Sequence, residues 1–165
     1  MIFVTVGTHE QPFNRLIKKM DDLVANKDIK ENVIVQTGFS TYVPKYCEAH
    51  KMMSFEEMQQ ALKEARIVIT HGGPSSFIEA LQFGKVPIVV PRQEKFNEHV
   101  NNHQVDFTKL IAKRMNNIIP VYDINDLKKI IDNYDQIAKT KNADESSNNK
   151  QFNEKLEKVV KKLLN

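Results

Sequence analysis

The chain has 165 residues, 41% hydrophobic and 27% charged, a composition that fits one globular domain with its own core. A formal net charge of +3 from 24 basic and 21 acidic residues is too mild to point to nucleic acid, and no nucleic-acid-reading motif accompanies it. Cys47 is the only cysteine, which rules out an internal disulfide and leads us to expect a reducing, cytoplasmic setting. No apolar run approaches the roughly 20 residues of a membrane span. The apolar start is too short for a signal peptide and lacks its basic region.

"MIFVTV" reads as a buried strand closed by Gly7. "PFNRLIKKMDDLV" follows, with Phe13, Leu16, Ile17, Met20 and Leu23 at helical spacing. "NVIVQTG" predicts a second strand, and "YCEAHKMM" a short third one. Ser54 opens a helix, with Glu57 completing a capping box. "RIVIT" is a strand, Ser75–Phe83 a helix and "KVPIVVP" another strand. A helix is predicted from about Phe96 to Lys113, then a strand in "NIIPVY" and a helix in "INDLKKIIDNY". This alternation predicts an α/β fold, a single Rossmann-like domain over residues 1–138 whose mostly parallel sheet carries helices on both faces. Residues 139–150 are polar and predict a linker or loop. Residues 151–165 predict an amphipathic terminal helix, packed either on its own domain or on a partner chain.

In open α/β sheets, ligands bind outside the carboxyl ends of the strands. Three loops have that placement: Gly7–Gln11, Gly38–Tyr42 and His71–Ser76. The last is the richest. A helix N-terminus offers unpaired N–H groups, glycines allow a phosphate close to the backbone, and Ser75 and Ser76 add hydroxyls. The plainer alternative is that a serine only caps the helix and His71 only packs. Glu79, one turn further on, fits either a ribose ligand or an ordinary helix glutamate.

Rival chemistries lack their patterns. There is no G-x-G-x-x-G after the first strand and no G-K-[ST]. "GPSSF" lacks the last glycine of a nucleophile elbow. His99 with His103, and Cys47 with His50, have metal-compatible spacings but no clear fourth ligand. No D-x-D pair stands ready to hold a divalent cation on a diphosphate, so neither metal nor cofactor is expected.

The stretch "HGGPSSFIEALQFGKVPIVVPRQEKFNEHVNNHQ" resembles the donor-binding box of family 28 glycosyltransferases, the C-terminal half of the GT-B fold. His71, Gly73, Ser75, Ser76, Glu79, Gly84, Pro87, Glu98, His99 and Asn102 occupy the box positions. "MIFVTVGT" and "NNHQ" extend the likeness to the small donor-binding subunits of two-subunit transferases of dolichol-linked oligosaccharide, exopolysaccharide and capsule synthesis. The resemblance implies that Gly7, Thr8, His71, Gly73, Ser75 and Ser76 hold the diphosphate of a UDP-sugar and that Glu79 holds the ribose. It implies that Glu98 and His99 meet the sugar hydroxyls, with Asn102 supporting that corner. Uracil is expected near Gly38–Tyr42 and Met52–Phe55.

The same resemblance implies an inverting hexosyltransferase. It would carry galactose or N-acetylglucosamine from its UDP donor to a lipid-linked saccharide acceptor, in exopolysaccharide or capsule synthesis, without a metal. His99 leans toward galactose. At this length the acceptor-binding half is expected on a separate, membrane-anchored subunit that recruits the chain to the inner face of the membrane. That subunit would also carry the general base, for which His9 is a weak rival on this chain. A nucleotide-sugar-binding regulatory module without catalysis is the alternative; an epimerase, which normally needs both halves in one chain, is less favoured.

Overall fold

The computed structural model describes residues 1–142; the rest of the expected linker and the expected terminal helix lie outside the described residues. Six strands form one parallel sheet: β1 (Ile2–Thr5), β2 (Val33–Gln36), β3 (Glu48–His50), β4 (Ile67–His71), β5 (Ile88–Val90) and β6 (Ile119–Pro120). Their order is β3-β2-β1-β4-β5-β6. β1 lies at the centre, with Val4 opposite Val35 of β2 on one side and Ile69 of β4 on the other.

The predicted α/β class is the one observed, and the pleat explains its layers. Ile2, Val4, Ile67 and Ile69 point to one face. There they meet Leu16, Ile17 and Met20 of α1 (Asn14–Ala25), together with Leu127 of α5 (Leu127–Asp132) and Tyr134 of α6 (Tyr134–Ala138). Phe3 and Val68 point to the other face, against Ala61 and Leu62 of α2 (Phe55–Glu64) and Ala80 of α3 (Pro74–Gln82). Val89 and Ile118 continue that second layer against Phe77 of α3 and Phe107 and Ile111 of α4 (His103–Met115). Strands covered on both sides read as unbroken apolar runs, which is why the sequence showed them so clearly.

Three elements differ from expectation. The third strand shrinks to three exposed or half-exposed residues, because it is the sheet edge and has only β2 to pair with. The helix expected from Phe96 starts at His103; a 3-10 turn (Glu94–Phe96) and a left-handed Asn97 precede it. The last predicted helix breaks into a 3-10 turn (Ile124–Asp126), α5 and α6, interrupted at Asn133. By contrast, the capping box at Ser54 and Glu57 forms in both directions. The first residues of the expected linker are tied down, since Asn142 N donates to Asn116 O at 2.9 Å. Among the described residues no helix is long and apolar enough to cross a membrane.

The strand order reverses between β1 and β4. Loops leaving their carboxyl ends diverge there and open a crevice, the standard ligand position in such sheets.

Candidate functional site

An open cleft of about 850 Å³ occupies that crevice. Gly7, Thr8, His9 and Glu10 from the loop after β1 form one wall; His71, Ser75 and Ser76, from β4 and the start of α3, form the other. Thr5, Gln36 and Gln104 lie between, and Met53 and Met58 close the apolar end.

His71 is the last residue of β4 and only 8% exposed. Its ring lies against two glycines. A Cβ on Gly7 would stand 2.5 Å from the His71 Cε1, and one on Gly73 would stand 2.3 Å from Nε2. Gly7 also has φ +72°, a left-handed conformation that few side chains adopt. Burial pushes the His71 pKa down to about 4, helped by the charges of Arg92 and His9. The ring is therefore neutral at neutral pH. Its Nδ1 is buried and has no partner among the described residues.

α3 begins one residue earlier than predicted. Gly73 is its N-cap without a side-chain cap bond, and Pro74 takes the first helical position, where its missing N–H costs nothing. Neither serine caps the helix. Ser75 and Ser76 thus bring both hydroxyls and first-turn N–H groups to the cleft wall, at the positive end of a nine-residue helix. Glu79 is half-buried one turn deeper, outside the cleft lining, and its Oε1 accepts from Gln59 Nε2 at 2.6 Å.

The expected sugar corner is arranged differently. Glu98 is 3% exposed. Its two oxygens accept from Arg15 Nε and Nη2, both at 2.8 Å, and Oε2 also accepts from Gln93 N at 3.0 Å. A carboxylate so occupied fixes the connection between β5 and α4. His99 stacks on His9 with ring centroids 4.6 Å apart and meets His103 edge-on at 4.4 Å. It borders the cleft through His9. Asn102 exchanges hydrogen bonds with Glu94 and lies outside the cleft lining.

Sequence reasoning passed over three residues that build this site. Arg92 is the largest wholly buried side chain. Its guanidinium donates to Gln11 O at 2.6 Å, Val6 O at 2.9 Å and Glu98 O at 3.1 Å, tying the loop after β1 to the loop after β5. Burial lowers its pKa to about 10, so it remains a cation under the cleft. Gln104 Oε1 accepts from both Gly72 N and Arg92 N at 3.1 Å. It stood in the "NNHQ" motif but carried no assigned role. Asp21, 2% exposed, accepts from Lys45 N, Tyr46 N, Cys47 N and the Tyr42 hydroxyl, which anchors the loop after β2. Burial raises its pKa, but these donors outweigh that and hold it below the usual carboxylate range. No cluster of His, Cys, Asp and Glu suited to a metal ion occurs among the described residues.

The family model for the glycosyltransferase family 28 C-terminal domain matches residues 1–163. The chain is 32% identical over 123 residues to the UDP-N-acetylglucosamine transferase subunit ALG13 of Mus musculus, covering 67% of this chain and 10% of that protein. It is 33% identical over 129 residues to the subunit of the same name from Homo sapiens, covering 68% of this chain and 10% of that protein. The chain thus spans about a tenth of the length of the curated relatives it matches. Among solved structures, the glycotransferase of kitacinnamycin is similar in fold, with a TM-score of 0.61 at 14% identity over 84% of this chain and 36% of that one. A parallel sheet with its cleft at the β1/β4 reversal, and a family match running over nearly the whole chain, agree: this chain belongs to the glycosyltransferase family 28 C-terminal domain family.

Proposed function

We propose that this chain is the donor-binding part of an inverting UDP-hexose glycosyltransferase, acting without a metal and completed by a membrane-anchored, acceptor-binding subunit. One observation carries the reading: Gly7 and Thr8 after β1, and His71, Ser75 and Ser76 from β4 and α3, line a single cleft at the sheet's topological switch point. Donors of that kind suit a diphosphate. First-turn N–H groups and two hydroxyls meet the phosphate oxygens at the helix's positive end, and neutral His71 adds a donor with no charge of its own. The Arg92 cation, buried beneath, adds a positive field where negative charge grows on the departing UDP.

The acceptor hydroxyl attacks the anomeric carbon from the side opposite UDP, which inverts that centre, and a base removes the hydroxyl proton. We assign that base to the partner. His9 has its Nε2 paired with Gln11 Oε1 at 3.0 Å and its ring stacked on His99, which restrains it as a proton acceptor. Glu79, one turn deeper along α3, holds the ribose, whose hydroxyls compete with Gln59 Nε2 for the Glu79 carboxylate. Glu98 enters this reading as the brace of the sugar corner, and His99 as its surface. The donor in the relatives' names, UDP-N-acetylglucosamine, supports that sugar beside galactose. Exopolysaccharide or capsule assembly, on a lipid-linked acceptor at the inner membrane face, is the setting we propose.

Calorimetric titration in a chelator tests this with UDP, UDP-galactose, UDP-N-acetylglucosamine and a nicotinamide dinucleotide. Uridine-selective binding that Glu79→Ala weakens about tenfold is expected. Equal or absent binding of all four overturns the reading. Binding without transfer when the partner is present overturns the catalytic part and leaves a regulatory module.

A further inference from the structure

Gln104 lines the donor cleft from the first turn of α4 and is only 5% exposed. Its Oε1 accepts from Gly72 N and Arg92 N, both at 3.1 Å. Only the oxygen of a carboxamide can face two N–H donors, so the amide orientation is fixed and the NH2 group turns away from both backbones. Its Nε2 has no acceptor among the described residues, yet it is not sealed in the core; it is the end of the side chain that meets the cleft. Gln36, also between the cleft walls, lacks this constraint. Its Oε1 meets the Thr5 hydroxyl at 2.5 Å, and a hydroxyl can either donate or accept. Gly72 makes the Gln104 fit possible, because a Cβ there would stand 3.0 Å from the Gln104 Cβ and 3.2 Å from its Oε1.

The two anchors locate this donor. Gly72 directly follows His71, at the foot of the wall that carries Ser75 and Ser76. Arg92 opens the connection from β5 toward Glu98 and His99. Gln104 therefore stands where the proposed phosphate wall meets the sugar corner. Accepting two N–H bonds draws electron density onto Oε1 and makes the NH2 group a stronger donor. Glu10 is the one carboxylate in the cleft lining among the described residues, and it is exposed on the loop after β1. A polarised, preoriented N–H with no protein acceptor suits an anionic oxygen of the ligand.

We infer that Gln104 Nε2 donates a hydrogen bond to the sugar-bearing phosphate of the nucleoside diphosphate, and so touches the leaving group. This rests on the proposed UDP-sugar site and adds a contact residue to it. In the transfer, a bond forms between the acceptor oxygen and the anomeric carbon while the bond from that carbon to the phosphate oxygen breaks. The electron pair stays on the phosphate, where negative charge grows. The Gln104 NH2 group stabilises that charge and transfers no proton.

Gln104→Glu tests this in the full chain. One carboxylate oxygen keeps both backbone bonds, while the NH2 group becomes an oxygen that repels phosphate. Calorimetry with UDP and UMP is read beside the melting temperature. We expect UDP affinity to fall about tenfold or more, UMP affinity to change less than about twofold, and the melting temperature to stay close to that of the parent chain. In the parent, the Gln104 side-chain amide signals should move in a proton–nitrogen NMR spectrum when UDP is added, and much less with UMP. That readout stands even if the variant does not fold. The inference fails if the variant keeps its UDP affinity, if UDP and UMP weaken alike, if only UDP-sugars weaken, or if UDP leaves the amide signals in place. UDP binding that ignores Gln104 overturns this inference alone. A parent chain that binds UDP no better than a nicotinamide dinucleotide overturns the donor reading and this inference with it.

Discussion

The β4–α3 loop, which walls the cleft, and the β5–α4 connection, which Arg92 ties to the opposite wall, are built in opposite ways. The β4–α3 loop is local: His71, Gly73, Pro74, Ser75 and Ser76 are consecutive or nearly so, and the glycine, the proline and the helix start arrange one another. The β5–α4 connection is held by distant partners. Arg15 reaches Glu98 across 83 residues, and Arg92 reaches Val6 across 86. A local motif presents its groups wherever the sheet places it, whereas a connection clamped by buried charges takes its shape from the whole fold. Hence the β4–α3 loop is legible from its own residue types, and the β5–α4 connection is not.

The largest effect should come from breaking the distant clamp. Arg92→Met leaves the buried carbonyls of Val6 and Glu98 and the half-buried carbonyl of Gln11 without this donor. We expect a loss of about 3 kcal/mol or more in urea unfolding. Arg92→Lys should recover only part of this, since one ammonium cannot span three carbonyls. If Arg92→Met is nearly neutral, the distinction between the two loops collapses.

Next comes His71. Its folded pKa of about 4 lies below the ordinary 6.5, so the folded state resists protonation. The stability it contributes is fully present above pH 6.5 and is lost as pH falls from there toward about 4. The loss should be on the order of 2 to 3 kcal/mol, absent in His71→Gln, and an NMR titration of the ring should give the low value directly. A ring titrating near 6.5 would mean that burial in this loop does not oppose protonation, and the pH-dependent loss of stability would vanish.

Gly73→Ala tests the local loop through space alone, since Gly73 has ordinary φ −75° and only the collision with His71 opposes a side chain. We expect about 2 kcal/mol of destabilisation, mostly relieved when His71 is also changed to alanine. Gly7→Ala carries the same collision plus its positive φ, so His71→Ala should relieve it only partly.

The smallest effect belongs to Asn102→Ala, which removes exposed hydrogen bonds to Glu94. Thermal unfolding should show less than about 1 kcal/mol. A larger loss would mean that the rim of the β5–α4 connection is held as tightly as its buried interior.

The chain's own pattern determines much of this protein. Unbroken apolar runs such as Ile2–Val4 and Ile67–Ile69 dictate doubly covered strands, and their alternation with helical periods dictates the parallel α/β class. The glycine and proline run after His71 dictates a tight turn into a helix N-terminus, because backbone freedom and a proline at the first helical position act over a few residues. Tertiary structure alone decided that Glu98 braces Arg15, that Asp21 anchors the loop after β2, that Arg92 lies buried under the cleft and that the helix after β5 waits until His103. The reason is electrostatic. A charged side chain enters a low-dielectric interior only where partners from elsewhere in the fold satisfy it, and neither periodicity nor spacing along the chain records which partners those are.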